Sequence, residues 1–402
     1  MPTLKLGGQD YHRAPHAYLA RALEAGPVGV TNALIVGRVT AVLGHDAITD
    51  FLKGSETFAV DARNAGHKSP FGLSFLPQSL KLLAENLLTL DEPDHTRLRR
   101  LSDAPFRRPA IEPLKASIAA QCDELLSEMV RAGNPDLVTG LARPLPLQVI
   151  CDLLGLSPGR RAALIRVFNG FTSGSMMAVL QALMKTGWVQ REFRAEFAEV
   201  RKAPRAGLIS QLVHAEAEGG KLSEDELLAM VFLLFAAGHE TTTHLISSSV
   251  WTMLTTPGAR EQVAAAEGEA LSVAVDEFVR YCSPVQMTKP RYARQDTVFQ
   301  GAEIRRGKPV MAILAAGNLD PAHFADPLRL DLARRPNRHL GWGWGPHLCL
   351  GLHLAKAETE ITLQKLLNRW PGLEIDGDPM QLPWAKRFGV RGLARLPLRL
   401  KV

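Results

Sequence analysis

Apolar residues recur at helical spacing through the middle of the chain and at strand spacing towards its two ends. Between residues 110 and 256 the helical pattern is broken only by short Gly- and Pro-containing stretches. Residues 33–43 are β-branched and apolar and predict one or two strands, and residues 45–53 return to a helical pattern. Short strand-and-turn patterns follow over residues 283–310 and again near the C-terminus. The chain therefore predicts a mainly α fold with a smaller β part, an α+β protein.

Without a linker-like segment or an internal repeat, the pattern favours one compact domain over residues 1–402. The segments of this domain fall into a helix-rich group and a β-rich group. The helix-rich lobe is predicted at 91–282 and 350–370, and the β-rich parts at 28–60, 283–315 and 372–402. A loose region near 61–90 carries a short helical pattern at about 80–88.

The longest helical pattern runs from Ser223 to Thr256 and must cross the middle of the domain, because about 34 residues of helix span about 50 Å. Ser223 and Glu226 form a capping-box pattern at its start. At its centre, residues 236–243 (AAGHETTT) put a glycine, an acid and three threonines into an apolar helix, which costs stability. Two interpretations stay open: a functional site, or a kink in which the threonines bond back to helix carbonyls.

A glycine-rich loop, GWGWGPHLCLG at residues 341–351, precedes the last long helical pattern. Glycines at every second position indicate a tight loop that a bulky group approaches closely. Cys349 stands where this loop meets the helix, and the amide groups and dipole there predict a thiolate with a lowered pKa that can bind a metal. The alternative is a small buried thiol without function.

Two pairs of polar residues have helical spacing. Asp91 and Asp94 are typical of a helix start, and His95 and Arg99, four residues apart, then share one face. They are either a solvated basic surface or two donors for an anion. Glu277 and Arg280, three apart and flanked by apolar residues, predict a buried structural pair.

Composition excludes several classes of protein. A hydrophobic content of 46% and a charged content of 22% are typical of a globular protein, and a net charge of +6 without a lysine-rich tail does not suggest a nucleic-acid binder. The four cysteines lie far apart, which argues against disulfides and a zinc site and favours a reducing compartment. No signal peptide is visible, and the longest apolar run, Leu227 to Ala237, is too short to be a membrane anchor. We expect a cytoplasmic protein.

Taken together, these motifs resemble the cytochrome P450 family over essentially the whole chain. Residues 342–351 resemble its haem-binding signature, with Trp342 where the family usually has Phe. Glu277 and Arg280 match its ExxR pair, residues 237–241 (AGHET) its oxygen-activation motif, and residues 318–321 (NLDP) its NRDP turn with Leu319 in place of Arg.

The resemblance implies haem b with Cys349 as the axial iron ligand. The implied cofactor-binding residues are His95, Arg99, Arg291, Trp342, Gly343, His347, Cys349 and Gly351. Arg334 is the third member expected in the Glu277–Arg280 network. Thr241 and Glu240 are the implied catalytic residues, with Thr241 bonding oxygen or water and Glu240 relaying protons from solvent through an opening at Gly238.

A member of this family activates O2 and hydroxylates or epoxidises a lipophilic small molecule. Because the chain lacks a dinucleotide fingerprint and iron–sulfur cysteines, a ferredoxin and a ferredoxin reductase are the expected sources of NAD(P)H-derived electrons. Basic residues expected to steer the ferredoxin are Arg97, Arg100, Arg107, Arg108 and Lys356. The expected substrate pocket includes Phe235, Ala236, Val285, Met287 and Leu393. The protein is expected to be a monomer, and the alternative functions are a peroxide-driven peroxygenase and a haem-binding sensor or carrier.

Overall fold

The computed structural model describes residues 1–7, 9–33, 36–69, 85–171, 176–214, 222–385 and 387–401, and helices predominate in them. The α-helices are Gln9–Arg13, Pro15–Glu24, His45–Lys53, Asp94–Ser102, Arg108–Ile111, Lys115–Arg131, Pro144–Leu154, Pro158–Phe171, Met176–Met184, Thr186–Lys202, Leu208–His214, Glu224–Thr255, Ala259–Ala265, Gly268–Cys282, Leu314–Gly317 and Leu352–Arg369. The prediction of a mainly α protein with a smaller sheet is confirmed.

The strands form one larger sheet and two hairpin-sized ones. They are β1 (Thr3–Leu4), β2 (Val28–Ala33), β3 (Gly37–Val42), β4 (Phe58–Ala59), β5 (Arg291–Ala293), β6 (Thr297–Phe299), β7 (Ala302–Ile304), β8 (Pro309–Ala312), β9 (Glu374–Ile375) and β10 (Leu398–Arg399). In the six-stranded sheet the order is β1-β2-β3-β8-β5-β4, and Thr40 of β3 lies opposite Val310 of β8 in parallel register. This sheet joins the N-terminal strands to strands near residue 300, because β3 and β8 are neighbours although about 270 residues separate them.

Glu224–Thr255, the central helix, carries the packing of the helical part. Its start has the capping box that the sequence predicts: the Glu226 amide donates to the Ser223 hydroxyl, and the Ser223 amide donates to the Glu226 carboxylate. It packs against the helices Pro144–Leu154, Gly268–Cys282 and Leu352–Arg369. Because it is surrounded by other helices, its sequence is apolar on almost every side.

Two details of the sequence-based interpretation change. Asp91 is not a helix cap: its carboxylate accepts from the amides of Val60 and Asp61 and from the side chain of Asn64. The helix begins at Asp94, and the Glu92 carboxylate accepts from the Thr96 amide in its first turn. The expected helix near 80–88 falls mainly on residues outside the described ranges. The boundary of a single domain over residues 1–402 stays a prediction.

Among the described helices, none is both long and apolar enough to cross a bilayer.

Candidate active site

The loop around Cys349 is closed by its own backbone. The Cys349 amide donates to the Trp342 carbonyl at 2.8 Å, and Gly343 and Gly345 take positive φ values of 75° and 72°. A side chain at Gly345 would also press on the Leu52 carbonyl, 3.3 Å from an added Cβ. Glycine is therefore required here both for the turn and for close packing against a neighbouring helix.

The predicted lowering of the Cys349 pKa is wrong in this structure. Burial raises the pKa of the thiol, while the Gly351 amide and Arg99 act in the opposite direction. The helix itself begins only at Leu352, so Cys349 precedes its first turn. Desolvation outweighs the nearby dipoles, and the thiol needs a stronger positive charge, such as a metal ion, to lose its proton.

Four basic residues that the sequence singles out come together beside this loop. Arg99 Nη1 donates to the carbonyl of Leu348 at 2.6 Å, so one turn of the helix Asp94–Ser102 is attached directly to the cysteine loop. The rings of His95 and His347 lie 4.1 Å apart. Arg291 is buried and donates from Nη1 to the Leu52 carbonyl at 2.9 Å.

The charge around His347 is positive. Burial, together with His95, Arg291 and Arg99, lowers the pKa of His347 to about 3. His95 itself is only 3% exposed. Arg291 is buried as well, whereas Arg99 and His347 are partly exposed. Such a group of donors is favourable for a bound anion, and a pair of carboxylates would be matched by the two guanidinium groups.

The Glu277–Arg280 pair is fully buried, as predicted, and belongs to a larger network. Arg280 binds both carboxylate oxygens of Glu277, at 2.8 and 2.7 Å. Arg334 Nε lies 3.2 Å from each of the same oxygens, and the Asp331 amide donates to Oε1 at 2.9 Å. The network fixes the irregular stretch that leads into the cysteine loop.

Asn318 and Asp320 extend this framework towards the sheet. The Asn318 side chain donates to Ser283 Oγ and accepts from the Leu340 amide at 2.7 Å, immediately before the loop. Asp320 accepts from the His45 amide. Leu319, which replaces the Arg of the family turn, is buried among apolar residues, so an apolar side chain fits this position.

The polar centre of the central helix remains helical. Thr241, Thr242 and Thr243 donate to the carbonyls four residues earlier, at 2.8–3.0 Å. Gly238 lies inside continuous helix, so the expected opening at Gly238 is absent. Ala237, however, is exposed and Thr241 is half-buried in an otherwise buried helix. One face of the helix centre therefore borders open space.

Glu240 has a partner that the sequence analysis missed. Arg387 Nε and Nη2 donate to the two Glu240 oxygens at 2.8 and 2.9 Å. His244, one turn further along the helix, has Nε2 3.9 Å from Glu240 Oε1. Arg387 lies in an irregular C-terminal segment, 147 positions from Glu240, where no periodic pattern could have indicated the contact.

The predicted pocket residues divide into two groups. Ala236 and Val285 are partly exposed. Phe235 and Leu393 are at most 1% exposed and pack in the helical core, and Met287, 5% exposed, packs against the N-terminal sheet. The last three side chains fill packing space in this structure and do not line an open pocket.

The residues near the cysteine loop fit a flat, anionic cofactor. An added Cβ at Gly351 would meet no atom of the described part of the chain within 4 Å, and the basic residues described above supply the donors. Within the described residues, the buried Nε1 of Trp342 has no acceptor. A buried donor without an acceptor is costly, and an acceptor atom bound nearby would relieve that cost.

Comparison with known proteins decides the family. A cytochrome P450 family model matches residues 185–390. The polyketide biosynthesis cytochrome P450 PksS of Bacillus subtilis (strain 168) is 34% identical over 400 residues, which cover 98% of this chain and 97% of that protein. The chain belongs to the cytochrome P450 family.

Two further relatives support the assignment. The cytochrome P450 monooxygenase PikC of Streptomyces venezuelae is 34% identical over 407 residues, covering 99% of this P450 and 94% of PikC. The crystal structure of the myxobacterial cytochrome P450 CYP267B1 in complex with myristic acid superposes with a TM-score of 0.88 at 32% identity, and the match covers 98% of each chain.

Membership fixes the enzyme class and the fold: the protein is a cytochrome P450 monooxygenase with the P450 fold. The family implies a haem–thiolate cofactor and a need for redox partners. Of the residues that the sequence singled out, the structure brings His95, Arg99, Arg291 and His347 together beside Cys349 and joins Arg334 to Glu277 and Arg280. It adds Arg387 and His244 beside Glu240.

Proposed function

We propose that this P450 holds haem b through Cys349 and hydroxylates or epoxidises a lipophilic small molecule with electrons from a ferredoxin. The observation that carries the proposal is the positively charged cluster attached to the cysteine loop. Arg99 reaches the carbonyl next to Cys349, and the basic neighbours of His347 create a site for an anion. The haem porphyrin carries two negatively charged propionates next to a flat ring that the glycine loop accommodates.

Within this proposal His95, Arg99, Arg291 and His347 bind the propionates, and Cys349 is the thiolate ligand of the iron. Trp342, whose buried N–H has no acceptor among the described residues, is proposed to donate a hydrogen bond on the ligand side of the loop. The bound haem–thiolate group supplies O2 binding and O–O cleavage. All other steps depend on the side chains of this chain.

Thr241 and Glu240 are the proposed catalytic residues. The Thr241 hydroxyl donates to the Ala237 carbonyl, which leaves the lone pairs of the hydroxyl oxygen free to accept a hydrogen bond from another group. Glu240 is the acid on the neighbouring position of the helix. Arg387 occupies one acceptor position on each carboxylate oxygen and so fixes the orientation of the group, while a second position on each oxygen remains to take a proton. Arg387 is thus a positioning residue for Glu240.

The substrate is proposed to be lipophilic. The partly exposed Ala236 and Val285 and the exposed Ala237 are apolar, and Phe388, next to Arg387, is 44% exposed. Apolar walls with few polar groups are typical of sites for lipophilic ligands. The name of PksS refers to polyketide biosynthesis, and CYP267B1 was crystallised with myristic acid; both are consistent with an extended apolar substrate here.

Electrons are proposed to arrive from a ferredoxin at a basic surface. Arg100, Arg107 and Arg108 are exposed. Arg97 is paired with Glu226, and Lys356 donates to Asp276 at 2.8 Å, so these two basic residues are partly neutralised. Arg107 is also paired, with Asp103 at 2.7 Å, and we therefore assign steering to Arg100 and Arg108. Reduction by an acidic ferredoxin should slow as ionic strength rises; an unchanged rate would exclude steering by this surface.

The ligand assignment is tested by Cys349→Ser, with the buried Cys151→Ser as the matched control. The variant at position 349 should lose the thiolate-type spectrum of the reduced, CO-bound protein, and the control should keep it. A thiolate-type spectrum in Cys349→Ser would refute the assignment. Product formation with ferredoxin, reductase and NAD(P)H, compared with peroxide alone, separates the monooxygenase from the peroxygenase.

The role of Thr241 is tested by Thr241→Ala against Thr243→Ala, since both hydroxyls bond to helix carbonyls but Thr243 is buried. Thr241→Ala should bind substrate normally while consuming NAD(P)H without matching product. Thr243→Ala should remain coupled. Equal coupling in the two variants would contradict the proposed role of the Thr241 hydroxyl.

A further inference from the structure

Three potential metal ligands meet where the start of the helix His45–Lys53 faces the residues after the Asn318–Asp320 turn. His45 and Asp46 begin the helix His45–Lys53, and His323 follows the Asn318–Asp320 turn. One ligand atom from each of the three side chains lies within 4.8 Å of the others. His323 Nε2 lies 2.9 Å from Asp46 Oδ1, and the His45 and His323 rings stack with centroids 3.9 Å apart.

The hydrogen bonds of His45 leave one nitrogen ready to bind a ligand. Its Nε2 lies 2.9 Å from the Arg338 carbonyl, which can only accept, so the ring proton is on Nε2. The lone pair is then on Nδ1. His45 is only 4% exposed, and within the described residues its Nδ1 has no hydrogen-bond partner. A backbone carbonyl that fixes one nitrogen while the other remains free is the arrangement typical of histidine ligands in metal sites.

We propose that His45, Asp46 and His323 form a binding site for a divalent transition metal ion such as Zn²⁺, separate from the haem site. Zn²⁺ binds imidazole nitrogens and carboxylate oxygens at 2.0–2.2 Å. Side-chain movements can bring the two imidazole nitrogens and the carboxylate oxygen of this cluster to those distances from one ion. Water completes the coordination. Hard ions such as Mg²⁺ prefer sites made of oxygen atoms and should not compete.

Metal entry requires one rearrangement that the exposures permit. In the stacked arrangement the two imidazole planes are only 20° apart, so both lone pairs cannot point at one ion. The Asp46 side chain is 80% exposed and that of His323 is 29% exposed. His323 therefore tilts away from the stack and exchanges its bond to Asp46 for the ion, while the buried His45 stays fixed.

The ion would connect two segments, the start of the helix His45–Lys53 and the residues after the Asn318–Asp320 turn. His45 already binds Asp320 through its amide and Arg338 through its ring. Metal bound to His45 and His323 would tighten the contact between the helix His45–Lys53 and the Asn318–Asp320 turn. Both support the stretch that ends in the cysteine loop, so the unfolding temperature should rise with zinc concentration.

The test is a zinc titration of the haem-loaded protein in competition with a chromophoric zinc indicator. The wild type should bind one equivalent of zinc, and His323→Ala and Asp46→Asn should each weaken binding at least about tenfold. His214→Ala, which removes a histidine outside the cluster, is the matched control and should bind as the wild type does. A hundredfold excess of Mg²⁺ should not displace the zinc.

Two outcomes would overturn the proposal. In the first, the wild type does not bind a saturable equivalent of zinc. In the second, the two cluster variants bind zinc as tightly as His214→Ala does; any bound zinc is then an adventitious ion only. His323 and Asp46 are partly or largely exposed, so their variants should fold, and an unchanged CO-bound spectrum checks this. That spectrum also separates a failed metal site from a failed haem assignment.

Discussion

Glu277→Gln is the change for which the structure gives the clearest magnitude. It removes the negative charge of a side chain that is 0% exposed and that faces the guanidinium groups of Arg280 and Arg334. The amide cannot accept on both sides, so Arg280, also 0% exposed, keeps a buried positive charge without its counter-charge. Removing one partner of such a buried pair costs about 3–5 kcal/mol.

The corresponding change in unfolding temperature follows from the length of the chain. With about 2.1 cal/mol/K of unfolding entropy per residue, 402 residues give about 0.8 kcal/mol/K, so 3–5 kcal/mol lowers the midpoint by about 4–6 °C. The irregular stretch before the cysteine loop should loosen as well, because Glu277 also accepts from the Asp331 amide. We expect a lower haem content in the purified variant.

The assay is thermal unfolding followed by far-UV circular dichroism on samples of matched haem content. Arg335→Ala is the control, because Arg335 pairs with Glu269 at the surface, where the side chains are 62% and 79% exposed. That pair should contribute less than about 1 kcal/mol. If Glu277→Gln unfolds within 1 °C of Arg335→Ala, the argument that the buried charges depend on one another is wrong.

Three further predictions concern the neighbourhood of Glu240. Arg387→Gln should lower the amount of product formed per NAD(P)H consumed several-fold, because Glu240 loses the bidentate partner that positions it. Arg387→Lys should restore part of the loss. Full coupling in Arg387→Gln would contradict the positioning role. Gly392→Ala would place a Cβ 1.9 Å from Nδ1 of the buried His244 and should cost about 1–3 kcal/mol in chemical denaturation, whereas Gly159→Ala, with open space around it, should be nearly neutral. Burial lowers the pKa of His244 to about 4, so below pH 6.5 the unfolded chain binds a proton that the folded protein does not. The free energy of unfolding should therefore fall by up to about 1.4 kcal/mol per pH unit from pH 6.5 towards pH 4. His244→Asn should reduce this slope.

Residues that lie close in sequence were the most predictable. The central helix and its capping box follow from local patterns, and His95 and Arg99 share a face because they are four residues apart. The buried Glu277–Arg280 pair follows from its apolar neighbours in the same helix. In each case one element determines the geometry, so periodicity is sufficient.

Contacts between distant segments were not predictable. Asp91 was assigned to the nearest helix start, but its carboxylate binds amides about 30 residues away. Arg387 stands in an irregular segment, so nothing in its neighbourhood points to Glu240. The Cys349 pKa was misjudged for the same reason, since the sequence showed the nearby helix but not the extent of burial, and burial decides the direction.

The origin of the Glu240 partner matters for engineering. Arg387 comes from the C-terminal segment next to the exposed Phe388, a segment that a designer would exchange to change which molecules the enzyme accepts. Such a graft would also replace the side chain that holds the acid of the central helix. With the proposed role of Glu240, we expect a change of selectivity in this segment to alter the yield of product per NAD(P)H as well. Libraries that vary this segment should keep position 387 fixed or be screened for wasted reductant as well as for product.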